Sequence, residues 1–112
     1  TATLTKAQSA NTGLEQTTGV ARKYYSTAQT ATVLLDASDY PTGTQATKVY
    51  VKNLSSTKSE TVTLQINDAS NTIELGKLYG GDWTFFPWDG ANDIEIDTSA
   101  TAMTVEYLVI YE

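Results

Sequence analysis

The sequence predicts an all-β protein: a single antiparallel β-sandwich, jelly-roll-like with about eight strands, in residues 20–112, preceded by an extended N-terminal arm in residues 1–19. Three observations carry that expectation. Beyond residue 20 apolar and polar side chains alternate with period two, the mark of strands buried on one face. The runs recur at about eight-to-twelve-residue spacing with turn-forming residues between them. Threonine makes up roughly a fifth of the 112 residues, and its β-branched side chain fits a pleated surface while its hydroxyl tolerates water.

The arm is rich in Thr, Ala, Gln, Ser and Asn, with Leu4 and Leu14 its two large apolar side chains. Two leucines cannot hold such a segment in a core, so it is expected to need an anchor outside the domain. A helix through Leu4, Ala7 and Ala10 is disfavoured by Gly13, Thr17, Thr18 and Gly19.

Strands are expected at residues 20–25 and 30–36, the second with Ala31, Val33 and Leu35 on one face, before a turn at Pro41 and Gly43. Residues 46–54 place Val49 and Val51 on one side and Lys48, Tyr50 and Lys52 on the other. A turn at residues 55–58 leads into residues 60–67, where Val62, Leu64 and Ile66 face in and Thr61, Thr63 and Gln65 face out. Residues 72–79 carry Ile73 and Leu75, residues 83–86 form a short strand, and residues 93–98 alternate Ile94 and Ile96 against Asp93, Glu95 and Asp97. The last strand, residues 103–111, becomes apolar on both faces and suits a central position. Edges are expected to be guarded by Lys48 and Lys52 or paired with a neighbouring subunit.

Composition excludes several function classes. There are no cysteines and no histidines, which removes disulfides, thiolate metal sites and imidazole catalysis. Thirteen acidic against seven basic residues give a net charge of −6, which opposes binding to phosphate backbones and anionic membranes. No apolar stretch approaches the roughly 18 residues that span a bilayer. Thr1 reads as the product of initiator-Met removal, with no export signal, and a soluble chain is expected.

Residues 80–90, Gly-Gly-Asp-Trp-Thr-Phe-Phe-Pro-Trp-Asp-Gly, hold both tryptophans and both phenylalanines. The block has two readings. In one, Trp83 and Phe85 point inward, Phe86 and Trp88 flank Pro87, and the chain leaves its strand there to turn at Asp89 and Gly90. In the other, Trp88 and Tyr79 are exposed anchors for a partner protein or a sugar ring. The carboxylates Asp82, Asp89, Asp93, Glu95 and Asp97 invite a calcium or glycosidase reading, but no calcium-loop spacing is present and Asp93, Glu95 and Asp97 alternate as on a solvated strand face. No phosphate loop or nucleophile elbow occurs, so no cofactor, metal or catalytic residue is expected. Arg22, Lys23, Tyr24 and Tyr25, with Lys6 upstream, form the one basic-aromatic cluster, either a solvated strand start or a contact with an acidic neighbour.

Lys48-Val49-Tyr50-Val51-Lys52-Asn53-Leu54-Ser55-Ser56-Thr57, then Gly81-Asp82-Trp83-Thr84-Phe85-Phe86-Pro87-Trp88-Asp89-Gly90 with Asp93-Ile94, then Val105-Glu106-Tyr107 stand in an order that resembles small tailed-phage virion proteins. In particular it is similar to the β-sandwich decoration, or cement, proteins on the outside of phage capsids. The resemblance covers residues 46–112 and rests chiefly on the aromatic-Pro-Trp-Asp-Gly element. It implies a bacteriophage structural protein without enzyme activity. Such a protein is a compact domain, often trimeric, assembled in the host cytoplasm onto the outer surface of the virion. There it binds major capsid protein across subunit junctions. On that reading Leu4, Lys6, Leu14, Arg22, Lys23, Tyr24 and Tyr25 contact partners, and Tyr79, Trp83, Phe85, Phe86 and Trp88 are core or interface anchors. The alternative from another class is a carbohydrate-binding module, or a tail fibre or baseplate tip domain. It would use Trp83, Trp88 and Tyr79 as a stacking platform with Asp82, Asp89 and Asn92 as hydrogen-bonding partners.

Overall fold

The computed structural model describes residues 16–17, 19–40, 47–68 and 71–111. Within them lie nine strands: β1 (Gln16–Thr17), β2 (Ala21–Tyr25), β3 (Thr32–Leu35), β4 (Thr47–Asn53), β5 (Val62–Asp68), β6 (Asn71–Leu78), β7 (Trp83–Trp88), β8 (Ile94–Thr98) and β9 (Met103–Tyr111), with a 3-10 turn at Ala37–Asp39. One sheet runs β2, β9, β4, β7 and the other β3, β8, β5, β6, all antiparallel. β1 continues the β2 edge along β9, through Gln16 opposite Tyr111 and Thr17 opposite Ile110. Each sheet therefore has four strand positions. This order is a jelly roll, a long ribbon in which β2 to β5 pair in turn with β9 to β6, rolled until its strands fall alternately into two sheets.

The expected sandwich is present, and β4 follows the alternation closely, whereas Thr63 and Gln65 of β5, which face out as expected, are buried and not wet. In β4, Thr47, Val49, Val51 and Asn53 are buried while Lys48, Tyr50 and Lys52 point to the outer face. β9 is central, as its two apolar faces imply, and gives Met103, Val105 and Val109 to the core beside Leu35, Val62, Leu64, Ile94 and Ile96. Lys48 and Lys52 do not guard an edge, because β4 lies between β9 and β7.

Three other expectations are corrected. β3 starts at Thr32, after Ala31 at φ 47°, and a register shift between Val33 and Leu35 lets both Leu34 and Leu35 turn inward while Val33 faces out. A bulge has this effect because one extra residue resets the phase of the alternation. β7 does not end before Pro87 but continues to Trp88. It is an edge strand, where a residue without an N–H costs the ladder nothing. Ile73 and Leu75 lie at the sandwich margin, about half exposed.

The acidic face of β8 is not simply solvated. Val33, Glu95, Gln65 and Glu74 stand in one row across the second sheet, and Glu95 is only 5% exposed. Its Oε1 accepts from Asn67 Nδ2 at 2.9 Å. Asp97 accepts from the Ala31 N–H at 2.6 Å and from Gln65 Nε2 at 3.0 Å, and Asp93 accepts from the Ala37 N–H at 2.7 Å. Asp97 and Asp93 thereby hold the residues flanking β3 against the sheet, while Glu95 ties β8 to β5.

Asn53, fully buried at the end of β4, ties three turns together. Its Nδ2 donates to the carbonyls of Glu60 and Leu78 at 2.9 and 3.0 Å, and its Oδ1 accepts from the Ser55 N–H at 3.0 Å. Its backbone N–H donates to the Asp82 carbonyl and its own carbonyl accepts from the Gly81 N–H. Gly80 is held by close approach, since a Cβ there would sit 2.3 Å from the Thr57 carbonyl oxygen, and Gly81 adopts φ +88°. The Gly-Gly-Asp that opens the aromatic block is thus a packing device, with Asp82 Oδ2 accepting from the Tyr79 N–H at 3.0 Å.

Tyr25 closes the core at the same end, opposite Met103 on β9, and its buried hydroxyl has no hydrogen-bond partner among the described residues. Burial, and then the neighbouring Tyr107, push its phenol up to about 12 from an ordinary value of 10.0. The folded protein therefore keeps a proton that the unfolded chain gives up. The associated stability is complete below pH 10.0 and is lost as pH rises through about 12. Tyr25→Phe is expected to leave stability at neutral pH unchanged or slightly raised, because it deletes an unpaired buried hydroxyl. It should also flatten the alkaline decline, which thermal melts of both proteins from pH 8 to pH 12 would check; an unaltered decline would assign it to other phenols.

Candidate binding face

The outer face of the first sheet collects charged and aromatic side chains that are far apart in sequence. Its rows follow from register. Arg22, Glu106, Lys52 and Trp83 lie across β2, β9, β4 and β7; Leu108, Tyr50 and Phe85 form the next row; Ile110, Lys48 and Pro87 form the third. Four strands at ordinary spacing make the face about 15 Å wide.

Edge strand β7 points Trp83 and Phe85 outward, 47% and 38% exposed. The Trp83 ring stands 6.4 Å from that of Tyr50, tilted by 44°. Phe86 and Trp88 have the opposite parity: Phe86 packs against the core, and Trp88 is 5% exposed with its Nε1 donating to the Asn92 carbonyl at 3.0 Å. The inward reading of the block therefore holds for Phe86 and Trp88 and fails for Trp83 and Phe85. An alternating strand cannot send 83, 85, 86 and 88 to one side. Tyr79 is exposed at the turn before β7.

The face carries three cations, Arg22, Lys48 and Lys52, against one carboxylate, Glu106, among the described residues. Glu106 is already engaged, accepting from Arg22 Nε at 2.9 Å and from the Tyr50 hydroxyl at 3.1 Å. Burial and that bond raise the Tyr50 phenol above its ordinary value, so it remains a neutral donor. No ion pair among the described residues holds Lys48 or Lys52. An acidic protein has thus gathered an excess of positive charge around exposed aromatic rings.

The basic-aromatic cluster is split by strand parity. Arg22 and Tyr24 join the outer face, Tyr25 enters the core, and exposed Lys23 places its Nζ 5.7 Å from the Tyr25 ring centroid. Leu4, Lys6 and Leu14 lie outside the described residues. Tyr50, Lys48, Lys52 and Glu106 belong to the face although sequence reasoning did not select them. Their signal was the Lys-Val-Tyr-Val-Lys alternation of β4, which places two cations and an aromatic on the outside of a central strand.

The hydrogen-bonding groups of the sugar-platform alternative are mostly occupied. Asp82 closes its own turn and Asp89 Oδ1 accepts from the Ala91 N–H at 2.9 Å. Among the described residues no group of three or more metal-ligating side chains could hold a metal ion. The face offers flat aromatic surface and ammonium groups, which suit recognition of a carboxylate-bearing surface with an apolar patch. No family model matches the chain, and no curated protein matches it.

Proposed function

We propose that this chain is a non-enzymatic structural protein of a tailed-phage virion, a decoration or cement protein that binds the outside of the head across junctions between major capsid subunits. The observation that carries the reading is the exposed aromatic-cationic face of an otherwise acidic jelly roll. The resemblance of residues 46–112 to such proteins supports it. In this mechanism Trp83 and Phe85 supply the apolar anchor, and Lys48 and Lys52 meet acidic groups of the capsid. Binding that exists only on the assembled shell stabilises that shell by mass action, and repetition over symmetric positions multiplies the effect.

The first test is to separate source material on a density gradient and quantify this chain by mass spectrometry in the particle and soluble bands. Many copies per genome-filled particle support the proposal, a few copies move the chain to the tail, and recovery as free protein alone overturns both. Trp83→Ala is the companion experiment. Removal of a large aromatic anchor is expected to weaken shell attachment by about 2 kcal/mol, or about 30-fold per site, while stability falls by less than about 1 kcal/mol. Unchanged retention on particles would exclude this face as the attachment surface. The glycan-binding alternative keeps Trp83 and Tyr79 exposed but loses Trp88 to the core. A saturable change in tryptophan fluorescence on adding glycans would favour it over shell binding.

A further inference from the structure

We infer that the β6 edge joins two copies of this chain by antiparallel strand addition. Among the described residues four strand edges lack an in-sheet neighbour: β1 with β2, β7, β3 and β6. Three of them carry features that discourage pairing. β7 contains Pro87, the five-residue β2 carries Arg22 and Lys23, and the four-residue β3 is broken by its register shift. β6, with eight residues, is the longest edge, and its Ile73 and Leu75 are 50% and 51% exposed. Beside it opens an apolar cleft of about 360 Å3 lined by Leu64, Leu75, Leu78 and Phe86.

β6 also has a register shift, between the partners of Leu64 and Gln65, but here it prepares self-pairing. Residues three apart on a regular strand face opposite ways. The extra residue cancels that. Glu74 stands opposite Gln65 and Lys77 opposite Thr63, so both take the outer face, while Ile73 and Leu78 share the inner face opposite Ile66 and Val62. A two-fold axis normal to the sheet, passing between Leu75 and Gly76, would place Glu74 beside Lys77 of the second copy and Lys77 beside its Glu74. The same axis sets Ile73 against Leu78 twice. Leu75 then faces Gly76, where a Cβ would meet nothing within 4 Å, so the second copy's leucine has room. Charge, apolar matching and space all complement themselves about one axis. An isologous contact requires that condition, and a three-fold contact does not.

This inference stands apart from the shell-binding proposal, because it concerns the free protein. The test is sedimentation equilibrium of the full chain over a concentration series, with circular dichroism to confirm folding. Wild type is expected to be a monomer–dimer system. Lys77→Glu and Glu74→Lys each replace two opposite-charge cross-strand pairs with two like-charge pairs and should raise the dimer Kd by about tenfold or more. The double variant Glu74→Lys/Lys77→Glu restores both pairs and should return the Kd to within about threefold of wild type. A monomer at all concentrations, a trimer, a dimer indifferent to either reversal, or a double variant no better than the singles would each overturn the inference.

Discussion

Trp88→Ala is expected to lower folding stability by about 3–5 kcal/mol, the range for deleting a large aromatic from a core. A domain of this size holds about 5–10 kcal/mol in all, so much of the variant should be unfolded at 37 °C. Trp88 ends β7 at 5% exposure, meets the edge of Tyr40 at 5.5 Å between centroids, and donates its indole N–H to the Asn92 carbonyl. Alanine would leave a cavity, a ring without its partner and an unpaired carbonyl together. Trp88→Phe keeps most of the burial and loses the hydrogen bond, so its expected cost is nearer to 2 kcal/mol. Urea unfolding of Trp88→Ala, Trp88→Phe and Trp83→Ala would rank the three. Equal midpoints for Trp88→Ala and Trp83→Ala would contradict the parity of β7.

That comparison also locates the limit of sequence reading. In β4 the phase of alternation is unambiguous, because Lys48 and Lys52 cannot be in the core and Val49 and Val51 gain by entering it. In β7 five of the six residues are apolar or proline, so a period of two exists without a phase. The phase is set by its partner: Val49 stands opposite Phe86 and Thr47 opposite Trp88, and these rows point inward. Bulges were hidden for a related reason. One extra residue in β3 or β6 changes which side chains face in, yet Thr-Val-Leu-Leu carries no local mark of it and in Ile-Glu-Leu-Gly only Gly76 hints at it.

The candidate face was legible only in part. Lys48, Tyr50 and Lys52 announced an outward row, but Arg22, Glu106 and Trp83 reach it from three other strands. A jelly roll brings the first strand beside the last, so residues 22 and 106 become neighbours although they are 84 positions apart in sequence. Local periodicity carries no record of that pairing. The buried Glu95 was misread because alternation reports which sheet face a residue takes, whereas burial on that face depends on its neighbours in space.

Asn53 offers the sharper stability experiment, because its amide performs three bonds that no other side chain of the same size can supply. Asn53→Ala strips partners from the carbonyls of Glu60 and Leu78 and from the Ser55 N–H. At about 1–3 kcal/mol for each buried group left unpaired, with water reaching those nearest the surface, the expected loss is about 3–5 kcal/mol. Asn53→Asp is nearly isosteric and keeps an acceptor for Ser55, but it turns a carboxylate oxygen toward two carbonyl oxygens in a fully buried position. The folded state then disfavours the charged form, which raises the folded pKa of the new acid above its unfolded value of about 3.9. The sign follows directly. Below about pH 4 the acid is protonated in both states and can donate to one carbonyl, so the variant lies closest to wild type there; as pH rises toward 7 the unfolded chain ionises first and the deficit grows. Urea melts of both proteins at pH 4 and pH 7 would measure that difference, with wild type cancelling the titration of the remaining carboxylates. A deficit independent of pH would mean that the Asn53 amide does not face the Glu60 and Leu78 carbonyls, and that the three turns are held by their backbone bonds alone.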